Sequence, residues 1–340
     1  MSTIQNISIF YFSGTGNSKK IALWFSELAV YKGISCDIID IASVYSNSLQ
    51  KIQPDLIVIV SPIHGFNYPK IVLDFIRKFP KGKNHVVLMN TRAGMKVGKI
   101  VTPGLTGLAF MVSSFILKKK GYKIIGQIPF DMPSNWISIH PAVREKSANF
   151  IFEKNYIRVK KHFERLYSGK SDFASRKDTI QDILISTVSL AYYLIGRFFF
   201  AKSYYASYKC TNCNLCVKQC PVKAIKKVNK RPYWTFKCES CMKCMNNCPV
   251  NAIETTHGLW VISIYITSIV NTYLVYELLP DFIQHWTVKF ALFNLLLIAY
   301  MWILYRIQQL ELKNRIIAKI ISLTSLTHYK FWGRYKSNKR

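Results

Sequence analysis

The chain has 340 residues, half of them hydrophobic, which leaves room for two soluble domains and a membrane segment. Lys and Arg number 47 against 17 Asp and Glu, a formal charge of +30. The basic residues are spread through every region and no nucleic-acid-binding motif accompanies them, so no nucleic-acid partner is expected; attraction to an anionic lipid bilayer, about 1 kcal/mol per basic residue near the surface, is the simpler account.

Ile7-Ser8-Ile9-Phe10-Tyr11-Phe12 is an apolar, β-branched and aromatic run ending in Ser13-Gly14-Thr15-Gly16-Asn17-Ser18. A helical pattern follows, with Ile21, Leu23, Trp24, Phe25 and Leu28 mostly on one face. Strand, glycine- and hydroxyl-rich loop, helix is the geometry in which backbone N–H groups and a helix N-terminus hold a phosphate. The loop lacks the Gly-x4-Gly-Lys-Ser/Thr of a P-loop, and Lys19 stands where a dinucleotide fingerprint needs its third glycine. The hydroxyls of Ser13, Thr15 and Ser18, interleaved with Gly14, Gly16 and Asn17, instead suit a terminal phosphate monoester bound without metal.

Further strands are predicted over 34–40, 56–60, 83–90 and 123–128, and helices over 18–31, 69–79, 104–120 and 142–167. This alternation specifies an α/β fold, a doubly wound parallel sheet with its ligand at the carboxyl ends of the strands. Those ends carry Ser61-Pro62-Ile63-His64-Gly65-Phe66-Asn67-Tyr68-Pro69, Asn90-Thr91-Arg92-Ala93-Gly94, and Phe130-Asp131-Met132-Pro133-Ser134-Asn135-Trp136. Such loops offer flat side chains to stack on a tricyclic ring, and glycines where backbone must approach its edge.

Together with Tyr11–Ser18, these segments resemble a flavodoxin domain over about residues 4–167, within a first domain of 1–167. The resemblance implies FMN, with its phosphate bound by Ser13, Gly14, Thr15, Gly16, Asn17 and Ser18. It also implies isoalloxazine contacts from the loops after the third and fourth strands, where Pro62, His64, Gly65, Asn90, Thr91, Arg92 and Gly94 are candidates, joined by Trp136. The stacking aromatic is open among His64, Phe66, Tyr68 and Trp136. Arg92 also reads as an exposed arginine, His64 as a surface-loop histidine, and Cys36 as a small buried hydrophobe. No nucleophile–base constellation or pair of catalytic carboxylates is visible.

Residues 168–207 read as a linker, charged and polar from Ser168 to Asp182. Ile183–Phe200 is apolar and nearly long enough to span a bilayer, but Gly196 and Arg197 interrupt it. A single crossing there would strand two redox domains on opposite faces. The stretch is therefore expected to lie in the interface or beneath the next module.

That module, residues 208–256, holds eight of the nine cysteines in two copies of one pattern. They are Cys210-x2-Cys213-x2-Cys216-x3-Cys220-Pro221 and Cys238-x2-Cys241-x2-Cys244-x3-Cys248-Pro249. Each run can supply three thiolates to one iron–sulfur cube and a fourth to the other. Zinc ribbons have no use for the third and fourth cysteines, and disulfides need an oxidising compartment that no cleavable signal peptide announces. Val222, Ala224 and Ile225 repeat as Val250, Ala252 and Ile253. The stretch resembles a bacterial eight-iron ferredoxin, a small α+β domain with two [4Fe–4S] clusters. With the preceding domain, the chain is similar to the flavodoxin–ferredoxin fusion proteins. It departs from the acidic character of such ferredoxins, because nine basic residues between Lys209 and Lys243 face only Glu239 and Glu254.

Residues 257–305 read as a transmembrane helical hairpin. Leu259–Leu279 is interrupted by Asn271 and Glu277, and Trp286–Tyr305 by Lys289. Pro280–His285 between them has no Lys or Arg, whereas the tail, 306–340, is basic. The positive-inside rule then predicts a multi-pass protein of the cell membrane with its redox domains and tail on the cytoplasmic side. A buried hairpin of a soluble domain is the competing reading. Both redox cores look complete before Leu259, so a chain truncated there is expected to keep its cofactors.

Two functions fit. The first is a membrane-anchored carrier relaying low-potential electrons between FMN, two [4Fe–4S] clusters and a redox partner protein, itself membrane-embedded. The second is an FMN-dependent reductase of a small organic or lipid-derived substrate, with the clusters as electron supply.

Overall fold

The computed structural model of the chain describes residues 4–44, 54–141, 143–277, 285–312 and 314–329. Five strands form a parallel sheet in the order β2 (Ser35–Asp40), β1 (Asn6–Tyr11), β3 (Leu56–Pro62), β4 (His85–Val97) and β6 (Lys123–Pro133). Short β5 (Ile100–Thr102) folds back antiparallel on the end of β4. The apolar run of β3 is buried on both faces, as a central parallel strand must be. Its Val58 and Val60 meet Ile21 and Phe25 of α1 (Asn17–Tyr31) and Val159 and Phe163 of α4 (Glu145–Tyr167). Its Ile57 and Ile59 belong to the opposite core, with Val72, Phe75 and Ile76 of α2 (Lys70–Lys78) and Phe110 and Leu117 of α3 (Ala109–Lys119). Burial of each such side chain contributes about 1.5–3 kcal/mol, so both helical layers are held by apolar faces at helical spacing.

Three sequence expectations need correction here. Asn90–Gly94 is not a loop: β4 runs on through it, in register with Pro129–Pro133 of β6. Arg92 is not exposed, because this pairing buries it beside the carboxylate of Asp131, directly opposite in the register. The polar segment after Ser168 is not a free tether either. The Asp172 N–H and C=O bond to Ile125 and Gln127 of β6 at 2.8 Å, and Asp182 accepts the N–H groups of Thr106 and Gly107. Helices α5 (Thr179–Leu184), α6 (Ser186–Ala191) and α7 (Arg197–Ser203) come next, with a π-turn at Tyr192–Gly196. The helical path bends by 73° between Leu184 and Ser186.

In the cysteine module, β7 (Tyr204–Ala206) pairs with β10 (Ile253–Thr255), and β8 (Ile225–Val228) with β9 (Arg231–Trp234), both antiparallel. The internal repeat extends to the backbone. Positive φ angles at Asn212, Asn214 and Lys223 recur at Ser240, Met242 and Asn251, placing helices α8 (Leu215–Lys218) and α9 (Lys243–Asn246) equivalently.

Helices α10 (His257–Thr272), continued by a π-turn to Glu277, and α11 (Trp286–Glu311) are long and apolar enough to cross a membrane. Their facing sides bury Thr267, Asn271, Lys289 and Met301, while Val261, Ile262, Ile266, Ile269, Leu295 and Ile303 stay exposed. The interhelical loop 280–284 and the basic positions Lys313, Lys330, Arg334, Lys336, Lys339 and Arg340 lie outside the described residues. The hairpin is also welded to the cysteine module. Tyr305 accepts the Trp234 N–H at 2.9 Å, and Gln308 accepts from Thr256 and the Trp260 indole. Buried Lys202 donates to the Trp234 carbonyl at 2.6 Å and lies over the rings of Tyr233, Phe236 and Tyr305. Helix α12 (Arg315–Leu323) packs Ala318 and Ile321 against Tyr205 and Leu312. These contacts pack the hairpin directly against the cysteine module.

Candidate functional site

The loop between β1 and α1 curls over the carboxyl end of the sheet. Gly16 has φ 102°, a left-handed value glycine adopts without strain, and its N–H bonds Ser13 Oγ at 3.0 Å. Helix α1 then starts without a side-chain cap, leaving its first N–H groups for a ligand. Ser18 Oγ bonds Thr91 Oγ1 at 2.8 Å, Asn17 Nδ2 donates to Pro133 O, and Asn135 Nδ2 donates to Thr15 Oγ1. These contacts tie the loop to β4 and to the segment after β6.

Around the loop opens a cleft lined by Ser13, Gly14, Thr15, Asn17 and Ser18, by Pro62, His64 and Gly65, by Thr91 and Arg92, and by Trp136. Among the sequence candidates, Gly16, Asn90 and Gly94 do not line it. Asn90 is buried against Thr106, and a side chain at Gly94 would strike the Asp131 carbonyl at 2.7 Å. Tyr68 turns into the core, where its hydroxyl donates to Met89 O, and Phe66 is absent from the lining. His64 and Trp136 remain of the four aromatic candidates.

The cleft contains buried polar atoms with no partner among the described residues: Asn17 Oδ1, His64 Nδ1, Arg92 Nη2, Ser134 Oγ, Asn135 Oδ1 and Trp136 Nε1. Leaving so many unsatisfied costs about 1–3 kcal/mol each, so this donor and acceptor set fits a polar ligand such as a phosphorylated flavin. Arg92 is fixed by Asp131 at 2.6 Å and Asp178 at 2.7 Å. Burial works against its charge, but the two carboxylates outweigh it and its pKa is raised. Burial lowers the pKa of His64 to about 4, against an opposing bond to the Glu239 backbone, so its ring is neutral at pH 7.

The wall also holds His140, Tyr192, Ser240, Cys241 and Met242, none of them among the sequence candidates for this cleft. Tyr192, from the π-turn of the former linker, lies across Gly65: a Cβ there would sit 2.0 Å from its ring. Ser240 and Met242 flank Cys241, and all three close the cleft from the cysteine module. At Gly14, an added Cβ would stand 2.1 Å from the Cys241 carbonyl oxygen. No local pattern announces a contact between positions so far apart in the chain.

Behind that wall the cysteines divide into two sets. Cys220, Cys238, Cys241 and Cys244 line one small cavity with Trp234 and Tyr204. Cys210, Cys213, Cys216 and Cys248 line the other. Each proline-linked cysteine thus joins the opposite run. Backbone N–H groups point at sulfur, from Ala224 to Cys220 and Ala252 to Cys248 at 3.2 Å and from Ser240 to Cys238 at 3.4 Å. No three of the described His, Cys, Asp or Glu side chains converge as a single ion requires. Four thiols spread around a cavity, with N–H donors to sulfur, fit the corners of an iron–sulfur cube. Burial pushes the Cys241 and Cys216 thiols up to about 11, a cost that bonding to iron would offset.

Residues 8–97 match the family model of a flavodoxin domain, and residues 209–253 that of a 4Fe-4S dicluster domain. The chain joins a flavodoxin domain to a 4Fe-4S dicluster domain. These are the parts of an FMN/iron–sulfur electron-transfer protein. Comparison with curated proteins finds no match. Among solved structures, the two-electron reduced flavodoxin of Megasphaera elsdenii is similar at 16% identity, over 44% of this chain and 98% of that one, with a TM-score of 0.30. Flavodoxin 2 of Bacillus cereus is similar at 15% identity, over 46% and 99%, with a TM-score of 0.32. Rubredoxin oxygen:oxidoreductase of Desulfovibrio gigas is similar at 12% identity over 48% of this chain, with a TM-score of 0.34. The chain spans about a third of that protein's length, 36%. The flavodoxin domain here is thus closed on one side by its own dicluster domain.

Proposed function

We propose that the protein is a membrane-anchored electron relay in which FMN, held at Ser13–Ser18, exchanges electrons with two [4Fe–4S] clusters in a fixed order. The observation that carries this reading is the shared wall: Ser240, Cys241 and Met242 line the flavin cleft, and the same residues line the second cysteine cavity. The centre held by Cys220, Cys238, Cys241 and Cys244 is therefore the flavin's neighbour, and the one held by Cys210, Cys213, Cys216 and Cys248 lies beyond it. Cys213 is exposed, which makes the set of Cys210, Cys213, Cys216 and Cys248 the outlet toward a partner. FMN supplies the capacity to take a pair of electrons and release them singly. The residues supply position: Gly14 permits backbone-to-backbone approach, Arg92, its charge balanced by Asp131 and Asp178, presents its unpartnered Nη2 donor to the cleft, and His64 is neutral. The apolar outer faces of α10 and α11 support insertion of the hairpin in the cell membrane, with the redox domains on the cytoplasmic side and a redox partner in or on that membrane.

Anaerobic purification tests the reading: it should yield about eight irons and one FMN per chain. Bound zinc without broad visible absorbance would end it. For sidedness, a cysteine placed at Gln284 should react with a membrane-impermeant reagent on whole cells, and one at Ser337 should not.

A further inference from the structure

A second cleft, of about 950 Å3, lies between α2 of the flavodoxin domain and the dicluster domain, and shares no lining residue with the flavin cleft. Its apolar surface comes from Ile41, Ile71, Phe75, Phe198 and Phe236. Around these stand Lys70, Lys78, Arg197, Lys223, Lys226 and Lys237 against two carboxylates, Asp74 and Glu239. Both carboxylates are already engaged. Asp74 pairs with Lys70 and Arg77, and Glu239 accepts the Lys70 backbone N–H at 3.0 Å. Lys78, Lys223, Lys226 and Lys237 are exposed, and their ammonium groups have no ion pair or hydrogen bond among the described residues. The back of the cleft is the wall of the second cysteine cavity, since Val222 and Glu239 line both.

We propose that this cleft is the docking site of an acidic one-electron carrier protein, which reduces the centre held by Cys220, Cys238, Cys241 and Cys244. The inference rests on the relay reading and adds the inlet: an electron arrives here, beside the flavin, and leaves past Cys213. One electron leaves the reduced carrier and the centre takes it; no bond or proton moves. Unpaired ammonium groups around one concavity repel each other, and a carboxylate-bearing edge relieves that repulsion while the aromatic floor is covered. A flat lipid surface meets the rim and leaves the floor uncovered. Complementary charge of this kind raises association rates by about 10- to 1,000-fold and is screened by salt.

The full chain in zwitterionic-lipid nanodiscs, loaded with iron and flavin, would be mixed in a stopped-flow instrument with a pre-reduced acidic [2Fe–2S] ferredoxin as the probe. The triple variant Lys223→Glu, Lys226→Glu, Lys237→Glu, and separately Lys78→Glu on the other bank of the cleft, would be compared with the unaltered protein. The triple variant is expected to lose at least about tenfold in second-order rate at low salt and Lys78→Glu a smaller factor, with the unaltered rate falling as salt rises. Reduction by dithionite should be equal in all three. Unchanged rates and salt dependence in variants that retain their irons would overturn the docking site alone. An unaltered protein without iron–sulfur absorbance would overturn the relay and the docking site together. If the variants keep their rate with ferredoxin but lose co-flotation with phosphatidylglycerol vesicles, the cleft serves lipid and the proposal fails.

Discussion

Gly14→Ala places one methyl group between the two cofactor modules. The added Cβ would lie 2.1 Å from the Cys241 carbonyl oxygen and 2.8 Å from its Cβ, where real contacts do not fall below 3.0 Å. The obstacle is backbone on a cysteine loop, which has no rotamer to escape into, so the phosphate loop and the cysteine loop must part by about 1 Å. Overpacking of this kind costs about 1–3 kcal/mol. If the phosphate loop yields, FMN affinity falls by about 5- to 150-fold, since each 1.4 kcal/mol is a factor of ten. Anaerobic titration of flavin-free protein, followed by quenching of FMN fluorescence, measures this directly. Gly33→Ala is the control: its φ of +76° brings backbone strain, but nothing lies within 4 Å of the added methyl, so FMN affinity should hold. A Gly14→Ala protein that binds FMN within twofold of the unaltered chain, with its flavin-to-cluster electron transfer unslowed, would refute the shared wall.

Cys220→Ala should damage the centre of Cys238, Cys241 and Cys244 while sparing the other, and Cys248→Ala should do the reverse; EPR of each variant decides, and same-run damage would break the crossed assignment. His64 gives a pH dependence. Its folded pKa, about 4, lies below the unfolded value near 6.5, so the unfolded chain takes up the proton first. Stability is therefore unaffected by His64 above pH 6.5 and is lost as pH falls toward 4, by up to about 3 kcal/mol. Urea midpoints between pH 7.5 and 5 should fall less steeply in His64→Gln, and equal slopes would count against a sealed imidazole. A chain ending at Gly258 loses the Tyr305 acceptor of the buried Trp234 N–H, which costs about 1–3 kcal/mol. Lower thermal stability and iron content are expected, whereas a full iron complement with unchanged melting would show the hairpin to be a tether alone.

Much of the fold was legible because it is written locally. The five parallel strands and four flanking helices of the first domain follow hydrophobic period, but β4 and β6 run on to Val97 and Pro133, beyond the predicted ends at 90 and 128, and α3 starts at Ala109 instead of 104. The two cysteine runs were equally readable, since their spacing is itself the chemistry. Three things escaped, each set by long-range contact. Extension of β4 through Arg92 depends on Asp131 arriving opposite it in β6. The supposed linker is ordered by Asp172 and Asp182 bonding to the first domain, which no polar composition reveals. Ser240 and Met242 enter the flavin cleft only because the dicluster domain folds back over the β1–α1 loop, and Tyr192 because the π-turn of the supposed linker lies across Gly65. The bland reading of Arg92 as a surface residue failed for the same reason, as its two carboxylate partners are distant in sequence.

The approach of Gly14 to Cys241 also bears on how the molecule is put together in the cell. One side of the flavin cleft is the loop that carries Cys241, one of the four thiols that would hold the neighbouring cluster, so iron bound there would brace that wall. Iron delivery should therefore precede stable flavin retention during maturation, and a chain made under iron scarcity should release its FMN as well. Damage to the neighbouring iron centre, by oxygen for instance, would register first as a loosened flavin. The close approach of Gly14 to Cys241 would thus couple the two inventories.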